Sequence, residues 1–338
     1  MTPASGEKIP AGIYFRVLLG GVTGHQTFAR DMGLWIPPGD AVEICVSILR
    51  VFQEHGCRTN RKKARLKYLL DDWGMEKFTD EVVKVHPNKL SRGPLPELAL
   101  GKKVVRRAHI GIHSQKQSGL VYAGVAVPVG KMTSAGMRKV ADLADAFGSG
   151  EIRLTVWQNL LIPNIPEERV NDFRMAVKEA GFSIEPAALA GGLIACTGNQ
   201  GCRLASSDTK GHALAAMAHL EKKMSLKHPL NIHLTGCPNS CAQHYIGDIG
   251  LIGAKVGEAG IEGYHMVLGG GAEADQRVGR EIYKNIPHTE LPHLLERILS
   301  VYQKETGENE DFASFVKARE IADLQKIFSR ETIPLAAL

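Results

Sequence analysis

The segment HLTGCPNSCAQHYIGDIGLIGAKV, His233 to Val256, places Cys237 and Cys241 with three residues between them, in a turn built of Gly236, Pro238 and Asn239. The turn follows a short β-type run, LNIHLT, Leu230 to Thr235. A second pair lies upstream in CTGNQGC, Cys196 to Cys202, so the full pattern is C-x5-C, 34 intervening residues, then C-x3-C. Four thiolates converging on one site suit tetrahedral zinc or an iron–sulfur cluster, because soft sulfur selects these metals. Structural zinc pairs usually hold two to four residues between ligands. A five-residue loop is long for one ion and suits the wider corners of a cubane. On spacing alone, zinc, two disulfides and unpaired core cysteines stay open.

The rest of the chain bounds the setting. Its 338 residues suffice for two or three domains, and its 44% apolar content is ordinary for packed cores. No apolar run has the length of a membrane span, and MTPASGEKIPAGIYF lacks the pattern of a signal peptide. A cytoplasmic protein with no membrane partner is expected. Net charge is +5, from 41 basic and 36 acidic residues spread along the chain, which gives no argument for nucleic acid. In a reducing compartment, paired cysteines point to metal or redox chemistry more than to disulfides.

Periodicity predicts a helix from Ala41 to Gln53, with Asp40 as N-cap, Gly56 as stop, and Val42, Cys45, Ile48, Leu49 and Phe52 as its apolar positions. NRKKARLKYLLDDWG, Asn60 to Gly74, reads as a second helix. KVHPNKLSRGPLPELALG, Lys84 to Gly101, has three prolines and no period and reads as a linker, with a boundary near residue 95. A strand in GLVYAGVAVPVG (Gly119 to Gly130), a helix from Thr133 to Phe147, one alternating strand in EIRLTVWQNLLIP (Glu151 to Pro163) and a helix from Glu167 to Ala180 follow. This β-α-β-α order suits a ferredoxin-like half-domain or a piece of doubly wound sheet.

ACTGNQGC and LTGCPNSCAQHYIGDIGLIG resemble the paired signatures of the sirohaem and [4Fe–4S] nitrite/sulfite reductase family. DAVEICVSILRVFQEHGCRTNRKKARLKYLLDDWG is similar to the helical end of that family's first sirohaem domain. GEIRLTVWQNLLIPNI is similar to its second half-domain strand. The resemblance implies an α+β fold in three parts: residues 1–95 as the C-terminal part of a first reductase domain, 96–185 as a ferredoxin-like half-domain, and 186–338 as the [4Fe–4S]/sirohaem reductase domain. It implies that Cys196, Cys202, Cys237 and Cys241 hold the cluster and that Cys241 also bridges to the sirohaem iron. Gly247, Gly250 and Gly253 are expected to let the backbone approach the macrocycle. Complete members are longer, internally duplicated chains whose substrate-binding arginines and lysines lie in an N-terminal region without counterpart here, so no catalytic residue is assigned.

Sirohaem carries many carboxylates, and Arg61 and Arg65, four apart in a basic stretch with Lys62, Lys63 and Lys67, are expected to pair with them from one helix face; a solvated face is the alternative. Arg153, Gln158, Asn159 and Asn239 are further expected cofactor contacts, and Arg277 or Arg280 is a further candidate in GGGAEADQRVGR, which lacks the lysine of a phosphate-binding loop. His233 and His244 are expected to support the cysteine turn rather than ligate. Cys45 and Cys57 read as structural. The resemblance implies the C-terminal portion of an assimilatory nitrite reductase, reducing nitrite to ammonia with electrons from ferredoxin and possessing a further polypeptide or segment for the other half. The alternatives are an assimilatory sulfite reductase and a non-catalytic iron–sulfur module.

Overall fold

The computed structural model describes residues 9, 12–93, 109–272, 276–307 and 310–330. The prolines Pro94 and Pro96 of the expected linker lie outside the described residues. The chain divides into two compact units, Met1–Lys102 and Lys103–Leu338.

In the first unit, strands β1 (Phe15–Leu19), β2 (Arg30–Ile36) and β3 (Ser91–Arg92) form an antiparallel sheet in that order, covered by helices α1 (Ala41–His55), α2 (Leu66–Trp73) and α3 (Met75–Val85). Alternate residues of β2, Met32, Leu34 and Ile36, are buried with Ile44, Ile48 and Val51 of α1, Leu69 and Leu70 of α2, and Phe78 and Val82 of α3. The expected apolar face of α1 is therefore corrected. Two apolar stripes exist on this helix, and packing against α2 and α3 selects the one through Ile44, Ser47, Ile48 and Val51. Cys45 is exposed, as are Val42 and Leu49.

The second predicted helix is also shorter than expected. Arg61 lies in a single 3-10 turn, where the Asn60 side chain accepts the Lys62 amide, and Arg65 is extended (φ −125°, ψ 148°) before α2 begins. The two arginines do not share a helical face. The reason is local: Asn60 offers its amide oxygen to the backbone and ends one turn before the next can start.

The second unit opens with a four-stranded antiparallel sheet, ordered β4 (Gly111–Ser114), β5 (Leu120–Val125), β7 (Leu160–Pro166) and β6 (Arg153–Leu154), packed by α4 (Ser134–Phe147) and α5 (Val170–Glu179). Val121, Ala123 and Val125 of β5 alternate inward against Leu143 and Phe173. Thr133 caps α4 by accepting the Gly136 amide. The single strand expected over Glu151–Pro163 is two strands. The Thr155 amide donates to the Asn159 carbonyl (2.9 Å), and the Thr155 hydroxyl accepts the Asn159 amide (3.1 Å). This closes a tight turn with Gln158 at φ 62°.

A five-stranded sheet follows, ordered β12 (Arg280–Pro287), β11 (Ile261–Leu268), β10 (Ile249–Val256), β9 (Ile232–Thr235) and β8 (Leu193–Ala195). β8, β9 and β10 run parallel, and β10, β11 and β12 antiparallel. Helix α6 (Thr209–Lys223) crosses over between β8 and β9, and α7 (Leu291–Glu305), α8 (Phe312–Lys317) and α9 (Ile321–Arg330) close the core around Tyr264, Met266, Ile298 and Phe315. Among the described residues no helix is long and apolar enough to cross a membrane.

Candidate iron–sulfur and cofactor site

The two cysteine pairs leave the sheet at one edge. β8 and β9 are adjacent and parallel, with Ala195 opposite Leu234. Cys196 is the first residue after β8 and donates its amide to the Leu234 carbonyl at 3.0 Å, while Cys237 lies two residues beyond the end of β9. The crevice at the carboxyl ends of parallel strands is where open α/β sheets bind ligands. The loop from Cys196 to Asp208 folds back on itself and onto the second pair: the Cys202 amide donates to Gly198 (2.9 Å), Asn199 to Ser207 (3.1 Å), and Ser206 to Gly236 (2.6 Å). A Cβ on Gly236 would stand 2.4 Å from that of Ala205, so glycine is what lets the two cysteine loops touch.

All four cysteines are free thiols; Cys196, Cys202 and Cys237 are partly buried and Cys241 is exposed. Burial pushes the Cys241 thiol up, and the charges of Cys196, Cys237 and Cys202 push it in the same direction, in that order. The other three thiols thus lie within electrostatic reach of Cys241, and a bound cationic centre would relieve that repulsion. The Gly236 amide donates to Cys196 Sγ at 3.2 Å. Thr209 Oγ1 donates to the Cys196 carbonyl at 2.8 Å and lies 3.7 Å from its sulfur.

The turn bearing Cys241 is held from beneath. Ser240 (φ 60°) and Gln243 (φ 55°) bracket it in the left-handed region, a conformation that non-glycine residues keep only when their surroundings enforce it. His233 Nδ1 donates to the carbonyls of Ala242 (2.8 Å) and Gln243 (3.1 Å), tying β9 to the turn. His244, fully buried, pairs its Nδ1 with the Thr235 hydroxyl. Burial, with His233 nearby, lowers the His244 imidazole to about 3, so it is neutral at physiological pH.

The other residues singled out in the sequence have varied placements. Gln158 donates to the Ala195 carbonyl (2.8 Å) and accepts the Ala195 amide (3.1 Å), clamping the residue before Cys196. Asn159 is buried; its Oδ1 accepts the Val127 amide, and its Nδ2 faces the carbonyls of Trp157 and Gly191 and His109 Nε2. Both amides hold backbone. Arg153 is exposed and paired with Glu151 at 2.6 Å. Asn239 is exposed in the cysteine turn. Arg61 and Arg65 are exposed in the first unit. Arg277 Nε donates to Gly269 (2.7 Å), and Arg280 donates to the carbonyls of Val316 and Arg319. Gly250 and Gly253 admit the unit's own chain, since an added Cβ would lie 2.0 Å from the His244 carbonyl oxygen or 2.6 Å from that of Gly236; Gly247 likewise packs on the His233 ring. What these glycines meet here is the unit's own chain, backbone at Gly250 and Gly253 and the His233 ring at Gly247.

Sequence reasoning missed the support behind the first cysteine pair. Glu262 of β11 accepts the Asn199 side chain (2.5 Å) and the Asp208 amide (2.7 Å), and lies 3.6 Å from His212. Burial acts to raise Glu262, but the hydrogen bonds from Asp208 and Asn199 outweigh it and hold the carboxyl below its usual range. Lys210 was missed too. Its ammonium donates to the Val129 carbonyl; burial lowers its pKa, the Cys196 charge opposes this, and Lys131 adds to the lowering. A cation in the first turn of a helix is electrostatically unfavoured. That placement is a local signal that Lys210 is held by contacts outside α6.

The donor set fits an iron–sulfur cluster: four free thiols and no disulfide among them, with a backbone N–H directed at one sulfur. The flanking elements fit a large apolar ring system. Leu154 and Val156, on the turn whose Trp157 ring lies edge-on to His233, are 86% and 90% exposed, and Leu204, beside Cys202, is 60% exposed.

Comparison with known proteins agrees with this geometry. The family described as "Nitrite and sulphite reductase 4Fe-4S domain" matches residues 5–90 and 191–331, and "Nitrite/Sulfite reductase ferredoxin-like half domain" matches residues 113–180. The chain is 38% identical to a chloroplastic ferredoxin–nitrite reductase of Oryza sativa over 84% of its own length and 49% of the relative's. It is 33% identical to the sulfite reductase [ferredoxin] 2 of Mycolicibacterium paratuberculosis, over 90% of this chain and 56% of that one. The solved structure of the Mycobacterium tuberculosis NirA protein superposes with a TM-score of 0.81 at 31% identity, covering 91% of this chain and 58% of that chain. The chain spans about half the length of the curated relatives it matches.

Proposed function

The chain belongs to the nitrite and sulphite reductase family, whose members carry a [4Fe–4S] cluster and sirohaem, and from that membership we propose that it is the cofactor-holding portion of a ferredoxin-dependent assimilatory nitrite reductase. The observation that carries this reading is the convergence of four free thiols at the carboxyl ends of β8 and β9, with Cys241 the exposed member acted on by the other three. When bound, the cluster passes single electrons and sirohaem supplies the iron at which nitrite is reduced to ammonia. This chain's part is to hold and to shield. Cys196, Cys202, Cys237 and Cys241 would hold the cluster, and Cys241, the exposed member, would be the one to face the sirohaem. The Gly236 amide stabilises the charge on Cys196, and Thr209 holds the Cys196 carbonyl. Gln158 fixes the end of β8, His233 fixes the Cys241 turn, and Leu154, Val156 and Leu204 offer apolar surface to the macrocycle while Arg153 and Asn239 meet its polar edge. Reduced ferredoxin, named in the nitrite-reducing relatives, is the proposed donor.

Nitrite is favoured by the 38% identical relative, and the 33% identical relative keeps sulfite as the second reading. Protons and cations for the bound anion come, on this proposal, from the half of the enzyme that this chain does not match. The test is anaerobic reconstitution. The chain is expected to take up about four iron atoms as one cubane and to show no nitrite turnover with reduced methyl viologen until a polypeptide supplying the other half is added. Full turnover by the chain alone would overturn the division of labour. A complete assembly preferring sulfite in kcat/KM would overturn the substrate.

A further inference from the structure

Helices α6 and α7 pack against each other, and their contact carries three polar side chains that the cysteine site does not use. His219 comes from α6; His293 and Glu296, three residues apart and so on one helical face, come from α7. His219 Nε2 lies 2.6 Å from Glu296 Oε2, and the His219 and His293 rings are 4.7 Å apart between centroids at 71°. One nitrogen or oxygen of each side chain lies within 4.8 Å of the others. The His219 and Glu296 side chains are only 21% and 13% exposed. His293 Nδ1 is buried and has no hydrogen-bond partner.

A simple hydrogen-bonded bridge between the helices accounts for His219 and Glu296. It leaves the buried nitrogen of His293 unexplained, since buried polar atoms are almost always partnered. Two imidazoles and a carboxylate are the ligand set of an open zinc-type site, and the mixed nitrogen–oxygen donors suit divalent zinc, cobalt or nickel. Metal–ligand bonds of about 2.0–2.2 Å at tetrahedral angles put donor atoms roughly 3.4 Å apart, so the His219–Glu296 pair, 2.6 Å apart, must open while the more distant donor draws in, movements within side-chain rotation on two fixed helices.

We propose that His219, His293 and Glu296 form a second metal site, independent of the cluster, for a divalent transition-metal cation that clips α6 to α7. Among the described residues no fourth histidine, cysteine or carboxylate joins the group, so water completes the coordination.

Cobalt(II) is the probe, added after the cluster has been reconstituted so that the four cysteines are occupied, and read as the difference spectrum against the same sample without cobalt. The full chain is expected to bind one equivalent with d–d bands of a nitrogen–oxygen set and no thiolate charge transfer. His293→Ala and Glu296→Gln should each weaken that binding at least about tenfold, since even the loss of an outer-shell partner costs that much. His228→Ala, outside the group, should leave it unchanged. Far-UV circular dichroism confirms folding, and Glu296→Gln, which keeps the side chain's volume, decides the matter if the alanine variant misfolds. Absence of a nitrogen–oxygen cobalt signal at sub-millimolar metal, or equal binding by Glu296→Gln and wild type, would overturn the site.

Discussion

The two units contain the same supersecondary run in different company. In the first, β2 and α1 span Arg30–Ile36 and Ala41–His55; in the second, β12 and α7 span Arg280–Pro287 and Leu291–Glu305, displaced by 250 residues. Each strand pairs antiparallel with the strand before it, and each long helix is followed by two shorter ones. One family description covers both segments. Their surroundings differ. β11 is flanked on both sides, by β10 and β12, whereas β1 has only β2 among the described residues and leaves Phe15 and Leu18 about half exposed. Helix α7 packs on α6 and α9 and buries Leu299; α1 leaves the matching Leu49 63% exposed. The lesson is that a repeated local pattern fixes a repeated local fold, while burial and chemistry depend on which further strands are added. β8 and β9 bring the cysteines, and the first unit has no counterpart of them among its described residues.

The sharpest way to break this comparison is through the cysteines. Cys237→Ser should lower the chain's iron content by about tenfold or more, because replacing a ligand should cost at least as much as the 10–100-fold typical of outer-shell partners. Cys45→Ser in the first unit should leave iron unchanged by elemental analysis and EPR. Equal losses would show that the thiol quartet is not the metal site.

A smaller contrast comes from acid. His244 titrates at about 3 in the folded protein, below the roughly 6.5 of an unfolded histidine. As pH falls, the unfolded chain therefore takes up the proton first. The contribution of neutral His244 is fully present above about pH 6.5 and is lost progressively toward pH 3, on the order of a few kcal/mol. Hydrogen exchange followed by mass spectrometry should show protection falling in β9 and β10 over that window, with His244→Gln flattening the fall. Parallel loss in β2 and α1 would mean that another group governs acid unfolding.

The smallest contrast sharpens the repeat itself. Leu299→Ala should cost about 2–5 kcal/mol as a buried truncation. Leu49→Ala at the matching position should stay within about 0.5 kcal/mol, as exposed substitutions do. Urea melts of both variants measure the difference. A large effect at Leu49 would show that its helix face is covered in the protein as it exists in solution.

Much of the site was legible because its chemistry is concentrated in short motifs. Cysteine spacing, the strand before the turn, and the glycine of the turn are adjacent in the chain, and thiols have few other uses in such a pattern. The extent of α4, expected from Thr133 to Phe147, and the strand in β5 were readable for a similar reason: helical period and apolar runs are local. The face of α1 was not, since Val42, Cys45, Leu49 and Phe52 form as good a stripe as Ile44, Ile48 and Val51 until α2 and α3 cover one of them. Arg61 and Arg65 looked like neighbours on a helix because periodicity ignores a side chain such as Asn60 that closes its own turn.

By itself the sequence determined the family and offered four thiols, in a set order, as the candidate donor atoms, because donor chemistry is a property of residue type. Tertiary structure decided what those residues face. Gln158 and Asn159, expected to contact the cofactor, hydrogen-bond the backbone around β8, and Glu262, from a strand far along the chain, steadies the loop of the first cysteine pair. His219 and His293 meet only because α6 and α7 pack together. Each of these depends on contacts between residues distant in sequence, whose cost in chain entropy is met by burial of the whole core and so leaves no mark in any short stretch.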